Sequence, residues 1–300
     1  MFSFDDNLPL KIIAWFLQFP FYIFWFILKY FINKDKNESN IIQAPQYPKT
    51  IVITGASQGI GESLVEYYYK NCPSCEVIIM ISRSIEKLEK VKNRLNSNNQ
   101  KKLIIYQCDV TDSEEMKRIY LDIHRIYGQI DILFANAGVS FRQLSLTNTF
   151  DKAVRDVFNI NINGVINSIM PVIELKNVKQ IAIVSSQAAY APFMSPFYGT
   201  TKQCVLSLGR DLRRILAKDN IVVNVISPGP VHTPMLDGVI ATTTKHGVSA
   251  EKAAEIIYDG LRRNQAEIVF PAVTGIFQYI LSFLPLCIAQ PIAMYQFRLK

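Results

Sequence analysis

The chain has 300 residues, 49% of them apolar and 19% charged, so it is long and apolar enough for one large domain with appendages. The five cysteines are odd in number and scattered, which excludes a disulfide framework, and we expect no metal site because the three histidines lack ligand spacing. The formal net charge is +7, yet no block of five or more Lys and Arg residues occurs, which argues against a nucleic-acid partner.

The chain begins with an apolar segment. Leu8–Ile32 carries charge only at Lys11 and Lys29, close to its two ends. About 20 apolar residues cross a bilayer, so we predict an uncleaved, single-pass membrane anchor over residues 1–33, followed by a linker over residues 34–49. A helix lying flat in the interface is the alternative, and the orientation stays open because lysines flank both sides. An anchored protein is expected in a membrane, with the endoplasmic reticulum as the expected compartment.

Residues 50–270 alternate short apolar runs with longer helical stretches. The runs are continuous and rich in Ile and Val, as in parallel strands that are covered on both faces. The expected strands are Thr50–Thr54, Val77–Ile81, Leu103–Gln107, Ile132–Ala135, Ile181–Ser185, Ile221–Ile226 and Ile268–Phe270. The expected helices between them include Ile60–Lys70, Ile85–Leu95, Ser113–Tyr127 and Tyr198–Ala217. We therefore predict an α/β fold, a Rossmann-type doubly wound parallel sheet of about seven strands, over residues 50–271.

A glycine-rich turn follows the first expected strand and opens the first helix. Gly55 permits a tight turn, while Gly59 and Gly61 let the backbone approach a phosphate and the helix approach the sheet. The helix N-terminus then faces a pyrophosphate. The spacing is Gly-x-x-x-Gly-x-Gly, and an ordinary strand–helix turn is the alternative. We predict dinucleotide binding by the turn residues Thr54, Gly55, Ser57, Gln58, Gly59, Ile60 and Gly61.

The end of the second strand bears on the choice of cofactor. It reads Ile81-Ser82-Arg83-Ser84, without the carboxylate that an NAD site uses for the ribose 2′-hydroxyl. Arg83 can pair with a 2′-phosphate. We therefore predict NADP(H) over NAD(H), with a surface arginine at a helix start as the alternative.

Tyr198 and Lys202 are four residues apart in an expected helix, and positions i and i+4 share a helix face. A tyrosine normally titrates near pH ~10, and a neighbouring positive charge lowers its pKa. A phenol tuned in this way exchanges a proton with an alcohol or ketone near neutral pH. Such a pair also occurs by chance on solvated helix faces, so its weight comes from its combination with the glycine-rich turn.

Further motifs follow successive strands in a fixed order: Asp109-Val110, Asn136-Ala137-Gly138, Asn161-Ile162-Asn163-Gly164, Ser185-Ser186, and Ser227-Pro228-Gly229-Pro230-Val231. With the glycine-rich turn and the Tyr198/Lys202 pair, this set resembles the short-chain dehydrogenase/reductase family over roughly residues 50–235. Within that family the chain is most similar to the membrane-anchored, NADP-using branch. That branch includes relatives of 11β-hydroxysteroid dehydrogenase, of dehydrogenase/reductase member 7 and of 3-ketodihydrosphingosine reductase.

The resemblance implies a role for each motif. Tyr198 is the general acid in ketone reduction and the base in alcohol oxidation, while Lys202 lowers its pKa and hydrogen-bonds the nicotinamide ribose. Asn161 holds a water that relays protons through Lys202. The remaining implied cofactor contacts are Asp109 and Val110 at the adenine, Asn136, Ala137 and Gly138 along the groove, and Pro228, Gly229, Val231 and Thr233 at the nicotinamide.

A serine after the fifth strand would orient the substrate oxygen, and two are available. Ser185 stands 13 residues before Tyr198, which is the family's spacing, while Ser186 holds the usual second position of the Ser-Ser-x-Ala pattern. We favour Ser186, because strand phase fixes the direction of a side chain and loops absorb deletions. Ser185 stays open as the alternative catalytic serine.

The C-terminal part bears on how a substrate reaches the site. The Thr-rich segment Val239–Val248 is expected to form a mobile flap. Residues 272–300 are apolar again and contain Pro285 and Pro291, which favours an amphipathic tail lying on the membrane over a second span or a buried helix. A pocket held beside a bilayer suits a lipophilic substrate such as a steroid, retinoid or keto-lipid.

We therefore expect a membrane-associated, NADP(H)-dependent oxidoreductase that transfers a hydride between the nicotinamide and a lipophilic ketone or secondary alcohol. One alternative is a 3-ketodihydrosphingosine reductase. An alternative of another class is a non-catalytic NADP(H)-binding membrane scaffold. The resemblance also implies a homodimer, paired through the helices that hold Asn161 and Tyr198.

Overall fold

The computed structural model of the protein describes four stretches of the chain, residues 42–95, 101–191, 197–236 and 247–298. The predicted membrane anchor of residues 1–33, the start of the predicted linker and most of the predicted flap lie outside the described residues. The residues from Gln43 onward belong to one compact unit. No helix among the described residues is both long and apolar enough to span a bilayer.

Strands of the described chain build one large sheet and one short ribbon. In chain order they are β1 Thr50–Thr54, β2 Val77–Ser82, β3 Lys102–Gln107, β4 Ile130–Ala135, β5 Val178–Val184, β6 Val222–Pro228, β7 Val231–His232, β8 Val248–Ser249 and β9 Glu267–Phe270. The large sheet has the order β3-β2-β1-β4-β5-β6-β9, and every neighbouring pair in it is parallel. Strands β7 and β8 pair separately. The predicted doubly wound sheet of about seven parallel strands is confirmed.

Helices cover both faces of the sheet. They are α1 Gly59–Asn71, α2 Ile85–Leu95, α3 Ser113–Tyr127, α4 Phe141–Ser145, α5 Phe150–Phe158, α6 Gly164–Glu174, α7 Tyr198–Leu216, α8 Ala250–Arg262, α9 Ala272–Ser282 and α10 Leu286–Arg298. A π-helical segment, Asn159–Asn163, joins α5 to α6, and a 3-10 turn follows β5 at Gln187–Ala189. Local capping signals start several helices, because the side chains of Asp112, Thr149 and Ser249 accept hydrogen bonds from the first turns of α3, α5 and α8.

Alternating side chains of the strands enter two apolar layers, one on each face of the sheet. Ile51 and Ile53 of β1 lie in the layer shared with α1, α2 and α8, together with Phe134 of β4. Val52 and Leu133 lie in the opposite layer, which is shared with α3, α6 and α7. Burial on both faces explains why these strands read as continuous apolar runs.

The order of the strands reverses at β1, because β2 pairs with one edge of it and β4 with the other. In doubly wound sheets a ligand binds at the carboxyl ends of the strands beside such a reversal. The glycine-rich turn leaves β1 there, and the loops after β4, β5 and β6 begin at the same edge. This edge of the sheet is therefore the expected location of a binding cleft.

Helix α9 begins the segment for which the sequence predicts a membrane-associated tail. One side of it packs on the body of the protein, where Thr274 Oγ1 donates to Gln187 Oε1 and Gln187 Nε2 donates to the Pro271 carbonyl, both at 2.7 Å. The exposed apolar residues of α9, α10 and the turn between them are Val273, Ile276, Tyr279, Ile280, Phe283, Leu286, Ile288 and Ile292. The segment thus has a packed side and an exposed apolar side.

Candidate active site

A cleft of about 750 Å³ opens at the carboxyl edge of the sheet. Of the residues that the sequence predicts for the site, those lining the cleft are Gly55, Ser57, Gln58, Gly59, Ile60, Gly61, Arg83, Asp109, Val110, Asn136, Ala137, Gly138, Ser185, Ser186, Tyr198, Lys202, Pro228, Gly229, Val231 and Thr233. Thr54 and Asn161 do not line it, because both are completely buried. Residues from distant parts of the chain therefore converge on one cavity.

The glycine-rich turn has a shape that fits a pyrophosphate. Gly55 and Gly59 adopt positive φ angles of 66° and 61°, which residues with a side chain rarely adopt. A Cβ at Gly61 would lie 2.3 Å from the Gly55 carbonyl oxygen, so only glycine fits where α1 meets the turn. The side chain of Gln58, the residue before α1, makes no capping hydrogen bond. That side chain therefore leaves the first N–H groups of α1 available to an anion.

Thr54 and Asn136 hold the turn in place. The Thr54 hydroxyl donates to the Phe134 carbonyl at 3.2 Å and accepts from the N–H groups of Asn136 and Ala137 at 3.0 and 3.2 Å. The Asn136 amide donates to the Thr54 carbonyl at 2.9 Å. These bonds tie the end of β1 to the end of β4 across the strand-order reversal. The side chain of Thr54 is therefore committed to the turn, and a predicted cofactor contact at this position does not involve it.

Arg83 lines the cleft directly after β2. Its guanidinium lies 3.6 Å from Asp109 Oδ2, and the two side chains are 59% and 38% exposed. Asp109 does not cap α3, because Asp112 holds that place. Ser57 and Ser82, which also line the cleft, share a hydrogen bond of 2.7 Å between their hydroxyls. This end of the cleft therefore combines a cation, a carboxylate and hydroxyl groups, of which the cation and the hydroxyls are suitable partners for a phosphate ester.

Tyr198, Ser186 and Lys202 meet near the end of β5. The Ser186 side chain lies beside the Tyr198 phenol and influences its titration, and the Ser186 hydroxyl donates to the Pro228 carbonyl at 3.3 Å. Lys202 is only 3% exposed, and its Nζ donates to the Val184 carbonyl at 2.9 Å. The same nitrogen lies 5.8 Å from the centre of the Tyr198 ring. Because α7 begins at Tyr198, the two residues stand on one face of its first turn, as the spacing predicts.

The titration of this group differs from what the spacing alone predicts. Burial raises the pKa of Tyr198 above its ordinary value, and the neighbouring Ser186 hydroxyl offsets part of that rise. Burial also lowers the pKa of Lys202 to about 8, because a buried ammonium is poorly solvated. The lowering of the Tyr198 pKa that the spacing to Lys202 predicts is therefore wrong for this structure, because burial of the phenol raises its pKa.

The two serines after β5 have different orientations. Ser185 is 2% exposed, and its hydroxyl donates to the Lys202 carbonyl at 2.7 Å, within the first turns of α7. The Ser186 hydroxyl lies beside the Tyr198 phenol, donates to the Pro228 carbonyl at 3.3 Å and accepts from the Ala188 N–H at 3.1 Å. The surroundings of the two hydroxyls thus separate the candidates, because Ser186 lies beside the phenol while the Ser185 hydroxyl is bonded to the helix that carries it.

Asn161 lies in the π-helical segment between α5 and α6, a type of irregularity that is frequent at functional sites. Its amide donates to the Val139 carbonyl and to Thr201 Oγ1, both at 3.0 Å. Its Oδ1 accepts from the Val139 N–H at 2.8 Å. Both amide hydrogens are thus used, and the side chain joins the loop after β4 to α7. The water that the family resemblance implies at Asn161 stays a prediction.

An aromatic cluster stands beside the cleft and was not anticipated from the sequence. Phe141 of α4 lines the cleft and packs against Phe150 and Phe197, with ring centroids 5.7 and 4.8 Å away. Phe197 directly precedes Tyr198 and has a positive φ of 62°, which is unusual for a bulky residue. No local sequence pattern predicts this cluster, because its members come from three separate stretches of the chain.

Three glutamines that sequence reasoning missed also line the cleft: Gln143, Gln187 and Gln278. Gln143 of α4 donates to the Pro234 carbonyl at 3.0 Å and so connects α4 to the loop after β7. Gln278 reaches the cleft from α9. Its only sequence signal is its polarity within the otherwise apolar run Ile276–Leu281.

Replacement of Lys202 by methionine tests its burial. Its folded-state pKa of about 8 lies below the ordinary 10.5, so a buried ammonium costs stability below pH 8, and this cost disappears as the pH rises toward 10.5. Between pH 7 and pH 10.5, wild type should therefore gain about 3 kcal/mol of unfolding free energy relative to Lys202→Met. Denaturant unfolding of both proteins across this range measures the difference. A difference that does not change with pH would contradict the desolvation of Lys202.

Sequence comparisons show which family the chain belongs to. The family model described as short chain dehydrogenase matches residues 49–244. A Drosophila melanogaster protein named dehydrogenase/reductase SDR family protein 7-like is 27% identical over 253 residues, covering 79% of this chain and 76% of that protein. An Arabidopsis thaliana protein named 11-beta-hydroxysteroid dehydrogenase-like 3 is 28% identical over 278 residues, covering 88% of this chain and 84% of that protein.

A solved structure shows the same fold. The short chain dehydrogenase from Mycobacterium paratuberculosis bound to NAD matches with a TM-score of 0.64 at 23% identity, covering 77% of this chain and 100% of that one. The family match spans the glycine-rich turn and the Tyr198/Lys202 pair, which the structure brings into one cleft. The chain therefore belongs to the short-chain dehydrogenase family and is an oxidoreductase of that family.

Proposed function

We propose that this protein is a membrane-associated enzyme that transfers a hydride between NADP(H) and a lipophilic ketone or secondary alcohol. The observation that carries the proposal is the meeting of Tyr198, Ser186 and the buried Lys202 in the same cleft as the glycine-rich turn. One end of this cleft suits the phosphates of a dinucleotide. The other end holds the Tyr198 hydroxyl, which can act as a general acid toward a carbonyl oxygen.

The residues of the cleft fit a nicotinamide dinucleotide. A Cβ at Gly59 would lie 3.2 Å from Thr233 Cγ2, so glycine lets the turn approach the loop after β7 closely, and no side chain at this position covers the turn where a pyrophosphate would bind. When bound, the cofactor supplies or takes up the hydride. A charged Lys202 has three N–H donors and uses one for Val184, which leaves two for a ribose.

The chain's own residues act on the substrate oxygen. In ketone reduction the Tyr198 and Ser186 hydroxyls donate to the carbonyl oxygen, and the Tyr198 proton moves to that oxygen as the carbon accepts the hydride. In alcohol oxidation Tyr198 removes the hydroxyl proton instead. We assign the second donor to Ser186 because the Ser185 hydroxyl is directed into α7.

The raised pKa of Tyr198 keeps its phenol protonated at neutral pH, and the protonated form is the one that ketone reduction needs. After proton transfer the phenolate carries a negative charge in a buried site. The ammonium of Lys202, 5.8 Å from the ring centre, stabilises that charge. Lys202 therefore acts on the product of the proton transfer more than on the resting phenol.

Arg83→Asp tests the proposed preference for NADP(H). The guanidinium would pair with a 2′-phosphate, whereas an aspartate would repel it and accept from a 2′-hydroxyl. We expect kcat/KM to fall about 10- to 100-fold with NADPH and to hold or rise with NADH. Arg125→Asp, at an exposed residue outside the cleft, is the matched control. A wild-type preference for NADH in steady-state rates would contradict the proposal.

Apolar surfaces around the cleft support a lipophilic substrate and a membrane location. The cluster of Phe141, Phe150 and Phe197 stands beside the start of α7. Exposed apolar residues of α9 and α10 form a patch of the kind that marks a membrane or protein interaction site. With the apolar segment Leu8–Ile32, these features support residence in a membrane, for which we propose the endoplasmic reticulum. The steroid dehydrogenase name of the Arabidopsis relative supports a steroid-like substrate.

We also propose that the protein pairs with a second copy through α6 and α7. Ile166 and Met170 are spaced as neighbours on one face of α6 and are 36% and 39% exposed, and Ile215 of α7 is 45% exposed. Apolar side chains in such a position gain stability when a partner covers them. The mass of the protein in detergent, measured by light scattering, tests this pairing.

The proposed activity is tested by following NADPH absorbance with the detergent-solubilised protein. The panel contains steroid ketones, retinal and 3-ketodihydrosphingosine. Oxidation of NADPH by one class of ketone would support the proposal and identify the class, and turnover of 3-ketodihydrosphingosine alone would make the protein a reductase of sphingolipid synthesis. Binding of NADPH without turnover of any compound would overturn the proposed activity in favour of a non-catalytic scaffold.

A further inference from the structure

Helix α9 is fixed to the catalytic end of the cleft through Gln187, the residue after Ser186. Gln187 is 1% exposed, and its amide donates to the Pro271 carbonyl and accepts from the Thr274 hydroxyl, both at 2.7 Å. A Cβ at Gly275 would lie 3.2 Å from the nitrogen of this amide, so the helix backbone packs closely against it. The loop that carries Ser186 therefore sets the position of α9.

Gln278 lies one helical turn after Thr274, on the same side of α9, since positions i and i+4 share a face. Thr274 contacts Gln187, and Gln278 lines the cleft. Ile276 and Ile280 are instead 59% and 54% exposed. The anchored side of α9 thus brings an amide group to the same cavity as Tyr198 and Ser186.

The Gln278 amide oxygen is shielded from solvent and has no hydrogen-bond partner among the described residues. A buried polar atom without a partner costs about 1–3 kcal/mol, and few such atoms remain in folded proteins. Among the described residues that carry such an atom, Gln278 alone lines the cleft. The terminal torsion of a glutamine is broad, so a small rotation can turn the amide toward a ligand.

The cleft that Gln278 lines also has apolar walls. Phe141, Leu144, Met235 and Leu236 all line it. The apolar body of a ligand gains free energy by burial against these side chains. Burial of the Gln278 amide against the same ligand is unfavourable unless the ligand carries a polar group that matches it. A hydroxyl matches it, because it can donate to the amide oxygen and accept from the amide nitrogen.

We propose that Gln278 recognises a hydroxyl group on the substrate that is remote from the reacting carbon. This inference rests on the function proposed above and narrows its substrate class to lipophilic ketones and alcohols with a second polar group. Tyr198 and Ser186 hold the reacting oxygen, the apolar walls hold the body of the molecule, and Gln278 holds the second oxygen. Gln278 is then a specificity-determining residue.

Two steroid ketones that differ by one hydroxyl test the inference: 17β-hydroxy-5α-androstan-3-one and 5α-androstan-3-one. With NADPH, wild type should reduce the hydroxyketone with a kcat/KM about 5- to 10-fold higher, which is the effect of one net hydrogen bond. Gln278→Met keeps the length of the side chain and removes the amide, so the ratio between the two ketones should fall to about one. Gln265→Met, the same replacement at an exposed residue outside the cleft, should keep the wild-type ratio.

The outcomes separate the inference from the proposed function. Equal kcat/KM for both ketones in wild type, or a ratio that survives in Gln278→Met, would overturn the inference and leave the proposed function standing. Reduction of neither ketone would overturn the proposed steroid reduction and the inference with it. Gln278→Leu also removes the amide and should lose the preference for the hydroxyketone, whereas Gln278→Glu keeps an acceptor oxygen and should retain it, so a poorly folded methionine variant does not prevent a decision.

Discussion

Replacing Tyr198 with phenylalanine should lower kcat for ketone reduction by about 10²- to 10⁴-fold, the usual contribution of a positioned acid. The change removes the hydroxyl that donates the proton and keeps the ring at the start of α7. The glycine-rich turn is untouched, so NADPH should still bind. Steady-state consumption of NADPH measures the rate, and a fluorescence titration with NADPH measures binding separately.

The matched control for this variant is Tyr47→Phe. Tyr47 is 82% exposed, so loss of its hydroxyl should change neither kcat nor binding. Turnover by Tyr198→Phe at the wild-type rate would contradict the role of Tyr198 as the proton donor. Loss of NADPH binding together with turnover would show instead that the hydroxyl serves the cofactor site, which would also contradict the assigned role.

Replacing Ser186 with alanine is expected to lower kcat by about 10²- to 10³-fold, as the loss of one preorganised donor to a reacting oxygen does. A second effect follows from its position beside Tyr198. The Ser186 hydroxyl lowers the Tyr198 pKa, so its loss leaves the pKa higher still. Alcohol oxidation needs the phenolate, and its rate should therefore rise at a higher pH in Ser186→Ala than in wild type. Rates of both directions across pH 7 to 10 measure the two effects.

Ser185→Ala provides the comparison within the same pair of residues. It removes one hydrogen bond to the Lys202 carbonyl, which should cost about 1 kcal/mol of unfolding free energy and leave most of kcat. Ser185→Ala should therefore lower the melting temperature and keep most of kcat, whereas Ser186→Ala should lose most of kcat. If Ser185→Ala loses turnover and Ser186→Ala keeps it, the assignment of the catalytic serine is wrong.

Much of the fold could be predicted because its elements have strong local patterns. Strand β1 and helix α3 begin and end at the expected residues. Strand β5 was predicted less accurately, since it begins at Val178, three residues before the expected Ile181. The two residues directly before Ile181 are polar, but Lys179 pairs with Asp131 at 2.7 Å and Gln180 donates to Asn224 at 2.8 Å. Because partners on neighbouring strands satisfy these polar side chains, the strand can include residues that the apolar pattern alone does not predict.

Some features of the candidate site could likewise be predicted from the sequence, and others depend on tertiary packing. The order of the motifs and the spacing of Tyr198 and Lys202 in the chain were sufficient to predict which stretches line the cleft, because turn geometry and helix periodicity are local properties. The side-chain direction of Ser185 and the burial that raises the Tyr198 pKa depend on packing between distant elements. The same holds for Gln278, which reaches the cleft only because Gln187 anchors α9 there. Burial and side-chain direction arise when separate segments pack together, so no single stretch of sequence contains them.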